Sequence, residues 1–258
     1  MRLLQHNKDS DFSLTEFFES DIPEYAILSH RWGAEEVTFK DLMESTSKSK
    51  SKAGYGKIQF CGEQAKRDGL QYFWVDTCCI DKTNAVEIQE AINSMFRWYQ
   101  KATKCYVYMP DVSWPRTSST SGFNEPWEST FRESEWFTRG WTLQELIAPA
   151  SIEFFSKEGE LLGNKASLER HICEVTGIPA GALRGSPLSD FSVAERLSWA
   201  AGREASRPED KVYSLLGIFD VNMVLIYGEG MEKAMNRFRD RIDEAFKGKS
   251  CSFVMSTQ

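Results

Sequence analysis

The chain alternates short apolar runs with longer stretches of helical periodicity. Tyr25-Ala-Ile-Leu-Ser-His30 is a compact apolar run that ends in polar groups and predicts a buried strand. Gln71-Tyr-Phe-Trp-Val-Asp76, Lys104-Cys-Tyr-Val-Tyr-Met109 and Ser151-Ile-Glu-Phe-Phe155 predict three more. Between them lie helical patterns. Ile58, Cys61 and Ala65 share one stripe, stopped by Gly69. Ile88, Ala91, Ile92, Met95, Phe96 and Tyr99 form the apolar face of a helix opened by the capping-box-like Asn84-Ala-Val-Glu87. Residues 134–149 predict a third helix, closed by Pro149 because the residue before a proline is pushed out of the α region. Leu3-Leu4 predicts a short strand, and Leu14, Phe17 and Phe18 have helical spacing.

Strand and helix therefore alternate, β, α, β, α, β, α, β, the pattern of a parallel sheet with helices on its faces and right-handed crossovers. After this α/β core, residues 1–165, the pattern is helical to 246. Ser167 precedes a helix ending near Gly177. Ser192-Val-Ala-Glu195 and Ser206-Arg-Pro-Glu209 read as capping boxes, and Ala234, Met235, Phe238 and Ile242 line a last helix. The Ser/Lys run at 45–52, an insertion at 113–133 holding Pro115 and Pro126, and a tail at 247–258 read as flexible segments.

Composition narrows the function. A net charge of −7 with no basic stripe argues against a nucleic-acid binder. No apolar run approaches the roughly 20 residues that span a bilayer, and the N-terminus lacks a signal-peptide pattern. The six cysteines form no spaced framework, so a cytoplasmic protein with reduced thiols is expected. His6, His30 and His171 are scattered and Cys78-Cys79 lacks metal-ligand spacing, so no metal is expected. There is no P-loop and no G-x-S-x-G elbow. Ser29, His30 and Asp76 compose a triad only on paper, since adjacent Ser and His side chains rarely face each other; strand-end hydrogen bonding is the plainer reading.

In open α/β sheets ligands bind beyond the carboxyl ends of the strands. That rim comprises residues 29–32, 76–81 and 109–111. Asp76 and Asp81 are candidates to hold ribose hydroxyls, against ordinary turn-forming roles. Arg139 is a candidate for phosphate, against an ion pair with Glu133 or Glu135. Glu145, set four residues after Trp141 and so on the same helix face, with Arg139 nearby, is a plausible place for chemistry and equally the make-up of an ordinary amphipathic helix.

Several long motifs carry a family resemblance. Tyr25-Ala-Ile-Leu-Ser-His-Arg-Trp-Gly33, Trp74-Val-Asp-Thr-Cys-Cys-Ile-Asp-Lys82, Glu90-Ala-Ile-Asn-Ser-Met95 and Trp136-Phe-Thr-Arg-Gly-Trp-Thr-Leu-Gln-Glu-Leu-Ile-Ala-Pro149 resemble the fungal heterokaryon incompatibility (HET) domain. Ser192-Val-Ala-Glu-Arg-Leu-Ser-Trp-Ala-Ala201, Glu209-Asp-Lys-Val-Tyr-Ser-Leu-Leu-Gly-Ile-Phe219 and Tyr227-Gly-Glu-Gly230 resemble segments that follow it in HET–NACHT–WD-repeat receptors. The resemblance implies a cytosolic effector of cell death triggered by non-self recognition, with NACHT and WD-repeat modules in cis.

A deeper similarity is to TIR domains, which have a flavodoxin-like parallel sheet. Their W-C-x-x-E-L pattern resembles Trp141-Thr-Leu-Gln-Glu-Leu146, with Thr142 in place of Cys. In NAD-cleaving TIR domains that glutamate is catalytic, which singles out Glu145. The resemblance then implies NAD+ as substrate, with Trp32 or Trp141 stacking on a ring, Arg31 or Arg139 meeting the pyrophosphate, and Ser29 and His30 in the same loop. No cofactor is implied, and self-association on activation is. The alternative is a non-enzymatic module that kills by oligomerising and recruiting partners.

Overall fold

The computed structural model describes residues 1–7, 12–44, 47–114 and 126–252. Most of the expected insertion (115–125), the start of the Ser/Lys run (45–46) and the end of the tail (253–258) lie outside the described residues. Seven strands form one sheet: β1 Arg2–His6, β2 Phe12–Glu16, β3 Tyr25–His30, β4 Tyr72–Trp74, β5 Lys104–Tyr108, β6 Ile152–Phe155 and β7 Leu161–Asn164. Their order is β2-β1-β4-β3-β5-β6-β7.

The four middle strands, β4-β3-β5-β6, are parallel, and the pairs at both edges are antiparallel. Burial explains the division. Every residue of β3 is buried, the mark of a strand covered on both faces. Phe12–Glu16 is only half-buried, as suits an edge. The helical spacing of Leu14, Phe17 and Phe18 was misleading here. Phe12 and Leu14 instead follow strand alternation, pair in register with β1, and Phe12 meets the edge of Phe73 at 5.4 Å. The hairpin β6–β7 extends the sheet beyond the expected strand at 151–155, through a turn with Gly159 at φ 80°.

The helix Tyr55–Arg67 buries Ile58, Cys61 and Ala65. The helix Ala85–Lys101 starts where Asn84 accepts hydrogen bonds from the Val86 and Glu87 N–H groups. The expected box does not close, because the Glu87 carboxylate is taken by Arg2 and the Asp81 N–H. The Ser/Lys run also departs from a loop: Ser47–Ser51 makes a helical turn, and Lys52 reaches Asp41 at 2.6 Å.

The stretch 134–149 is not one helix. A 3₁₀ turn, Glu135–Thr138, is capped by Ser134. Arg139 is extended, and the α-helix proper is Thr142–Ile147. The break has a tertiary cause: Glu204 bridges the backbone on both sides of Arg139, through bonds to Thr138 and Gly140.

The segment after 165 packs on the sheet's helical layer, and one continuous core includes residues of both. Gly217, in the helix Leu216–Phe219, lies so close to the helix Ala85–Lys101 that an added Cβ would overlap Phe96. Gln89 and Asn93 of that helix hold the Met223 backbone at both its N–H and its carbonyl side. Ser192 and Glu195 close a reciprocal capping box. Ser206–Glu209 does not. Glu209 instead accepts the N–H groups of Gly228 and Gly230, at 2.9 Å each, in a turn whose glycines have φ 94° and 82°. The last helix, Met231–Ser252, extends into the 247–258 segment.

Candidate functional site

The first two parallel strands in sequence, β3 and β4, lie side by side, and the chain then crosses to the other side of β3 to add β5. The carboxyl end of β3 is therefore the switch point at which open α/β sheets bind ligands. A cavity of about 260 Å³ opens there. Its floor is His30, Tyr99 and Glu145. One wall is apolar, from Ile88, Ala91, Ile92 and Met95. Its mouth carries Trp32, Lys82, Arg139, Trp141, Arg207 and Tyr227.

Glu145 is only 7% exposed, yet it lines this cavity and forms no ion pair among the described residues. Ser29 donates to its Oε2 at 2.5 Å. The Trp136 indole, which can only donate, gives its N–H to the same Ser29 Oγ at 2.9 Å. The Tyr99 hydroxyl lies in hydrogen-bonding reach of the same carboxyl, while donating to the Leu28 carbonyl at 2.9 Å. Burial pushes the Glu145 pKa up to about 8; the nearby Asp76 charge adds to this, and the hydrogen bonds of Ser29 and Tyr99 and the charge of Arg139 oppose it. Burial, then the Glu145 charge, also raises the Tyr99 pKa.

Arg203 backs the helix. It is buried and donates to the Arg139 carbonyl at 2.9 Å and to Thr142 Oγ1 at 3.0 Å, at the start of the turn that carries Glu145.

His30 is 7% exposed, and neither ring nitrogen has a hydrogen-bond partner among the described residues. Its Nε2 lies 3.9 Å from both Glu36 and Asp76. Burial, with the Lys57 and Lys82 charges, outweighs those carboxylates and lowers its pKa to about 4, so the ring is neutral. Ser29 and His30 do not join Asp76 in a triad, since the Ser29 proton goes to Glu145.

Asp76 accepts from Trp32 Nε1 at 2.8 Å and Lys82 at 3.3 Å. Burial would raise its pKa, but the Lys82 charge and these two hydrogen bonds outweigh it and the pKa is lowered. Lys82 also sits 3.4 Å from the centre of the Trp32 ring, a cation–π contact on a plate 47% exposed.

The structure thus gathers His30, Trp32, Asp76, Arg139, Trp141 and Glu145 in the cavity lining. Ser29 is fully buried behind Glu145 and reaches the site only through its hydrogen bond. Two further candidates lie outside the lining. Arg31 does not line the cavity and pairs with Glu135. Asp81 holds the Thr83 N–H at 2.9 Å and the Thr83 hydroxyl at 2.7 Å, a turn role. Arg139 makes no ion pair with Glu133 or Glu135, its alternative role, among the described residues. Tyr99, Trp136, Lys82, Arg207 and Tyr227 were not singled out from sequence as site residues. Their side chains read as core or surface until the fold brings residues 70 to 200 positions apart together. No cluster of three or more metal-ligating side chains occurs among the described residues, and no helix there is long and apolar enough to cross a membrane.

Fold and site together define an α/β protein with a buried acid at the floor of a strand-end cleft. Residues 25–121 match the family of the heterokaryon incompatibility protein (HET). Over 246 residues, 94% of the chain, the sequence is 57% identical to the vegetative incompatibility protein HET-E-1 of Podospora anserina. The chain belongs to the HET family, and it spans 18% of that relative's length. No solved structure matches it.

Proposed function

We propose that this chain is a cell-death effector domain of fungal non-self recognition, TIR-like in mechanism, that hydrolyses NAD+ at its nicotinamide–ribose bond. The observation that carries the reading is Glu145, a buried carboxyl without an ion-pair partner among the described residues, at the floor of a cleft rimmed by tryptophans and arginines. Similarity to an incompatibility protein supports the biological part.

The chemistry suits such a group. Breaking the C1′–N bond of NAD+ develops positive charge on the ribose, as in glycoside hydrolysis. Water supplies the oxygen at C1′, nicotinamide leaves with the bond electrons, and a proton is released with ADP-ribose. Nicotinamide is already a good leaving group, so the carboxyl is needed for charge rather than for protonation. In the free site ionising Glu145 is costly. An arriving cation offsets that cost, so the carboxylate is favoured when the substrate and its oxocarbenium-like state are present. Trp32 and Trp141 offer stacking surfaces, and the neutral His30 offers a donor and an acceptor to ribose or amide. In this reading the domain works clustered, with NACHT and WD-repeat modules elsewhere in a longer cytoplasmic receptor.

The test is incubation of purified, concentrated or artificially clustered protein with NAD+, alongside Glu145→Ala and Glu145→Gln. We expect consumption by the wild type and a loss of about 10²-fold or more in both variants. A folded, clustered wild type that consumes no NAD+ refutes hydrolysis and leaves recruitment of partners as the effector function. Equal activity in Glu145→Ala refutes the site.

A further inference from the structure

The charged groups of the cavity divide into committed and uncommitted ones. Asp76 and Lys82 are engaged with each other and with Trp32. Asp210 accepts from the Tyr227 hydroxyl at 2.9 Å and from Trp141. Glu209, the other carboxylate beside Arg207, is filled by the Gly228 and Gly230 N–H groups. Glu145 is held by Ser29. Two guanidiniums remain. Neither Arg139 nor Arg207 donates a side-chain hydrogen bond or makes an ion pair within the described residues, although both line the cavity. Most other arginines of the chain do one or the other.

Arg207 is nevertheless placed. Its guanidinium lies over the Tyr227 ring, 4.2 Å from the centroid, and that ring is fixed in turn by Asp210. An arginine so held keeps its planar donors free along its edge, the arrangement that suits bidentate binding of phosphate. Arg139 lines the same cavity from a different segment, on the extended residue that Glu204 and Arg203 pin by the backbone.

We infer that Arg139 and Arg207 form a two-guanidinium clamp for the diphosphate of a dinucleotide, each taking one phosphate at the mouth of the cavity. The inference rests on the NAD+ reading of the same site and adds the anchor of the distal half of the substrate. It also makes the segment after the sheet part of the site, because Arg207 lies well outside the stretch 25–121 that defines the family match. A monophosphate fills half of such a clamp, so NAD+ is preferred to nicotinamide mononucleotide.

The probe is ADP, which carries the diphosphate but no bond to cleave. Titration calorimetry of the full chain should detect ADP binding, weakened about 10-fold or more in Arg207→Gln and in Arg139→Gln, and less in Arg207→Lys. Adenosine, without phosphates, should bind all variants alike. Thermal unfolding checks that the variants are folded; a second variant, Arg207→Met, keeps the stem over Tyr227 and should lose ADP binding equally. ADP affinity unchanged in Arg207→Gln, an equal loss for adenosine, or no ADP binding by the wild type overturns the clamp. The two readings separate cleanly. Arg207-dependent ADP binding without NAD+ consumption sinks hydrolysis and keeps the clamp; Glu145-dependent hydrolysis that ignores Arg207 does the reverse.

Discussion

Replacing Glu145 by Gln should stabilise this protein, and by more the higher the pH. The folded chain holds the Glu145 proton to about pH 8, whereas an unfolded carboxyl releases it near 4.5. Between those values the native state binds more protons than the unfolded chain, so stability is lost as pH rises through the window. The interval, at about 1.36 kcal/mol per pKa unit, sets a ceiling of roughly 5 kcal/mol. Water reaching the cavity and relaxation around the charge reduce it, so about 2–3 kcal/mol is the working expectation. Glutamine has the shape of the neutral acid, accepts the Ser29 proton and offers an N–H toward Tyr99, and it never ionises. Urea unfolding of both proteins at pH 5, 7 and 9 therefore should give nearly equal stabilities at pH 5 and a widening gap above. His30 does not confuse the comparison. Its lowered pKa makes stability rise with pH between about 4 and 6.5, but it does so in both proteins. A gap that stays constant from pH 5 to 9 would refute the argument that Glu145 is a neutral acid in the free protein.

Two further substitutions test the packing around the site. Gly217→Ala forces a methyl group into Phe96 at the junction of two helices and should cost about 1–3 kcal/mol, read as a lower urea midpoint; an unchanged midpoint means the junction is looser than described. Tyr99→Phe removes the donor to the buried Leu28 carbonyl and should cost about 1–3 kcal/mol by the same measurement, with no loss if that hydrogen bond is dispensable.

The parallel centre of the sheet was legible in the sequence because its strands are short apolar runs bounded by polar residues. Tyr25–His30 and Lys104–Tyr108 fall within a residue of the expected runs. The edges were not, because an edge strand such as Phe12–Glu16 is half-buried and its weak alternation competes with chance helical spacing. The stretch 134–149 misled for a different reason. Its composition favours one helix, and the break at Arg139 is imposed by Glu204, a residue 65 positions later that no local pattern reveals. The same limit applies to the cavity. Glu145 stood out by its setting beside Trp141, and the residues at strand ends followed from topology. The Tyr99 hydroxyl, the Trp136 indole and the Arg207–Tyr227 stack depend on which side chains meet across the fold, and their sequence context reads as ordinary core or turn.

The hydrogen bonds around Glu145 also tie the floor of the cleft to the centre of the sheet. Ser29 donates to the Glu145 carboxyl and accepts from Trp136. Tyr99 donates to the Leu28 carbonyl and lies in hydrogen-bonding reach of the same carboxyl. Leu28 and Ser29 are adjacent residues of β3, the fully buried middle strand of the sheet. The acid that faces the cleft is thus anchored, through two hydroxyls, to the part of the scaffold with the least room to yield.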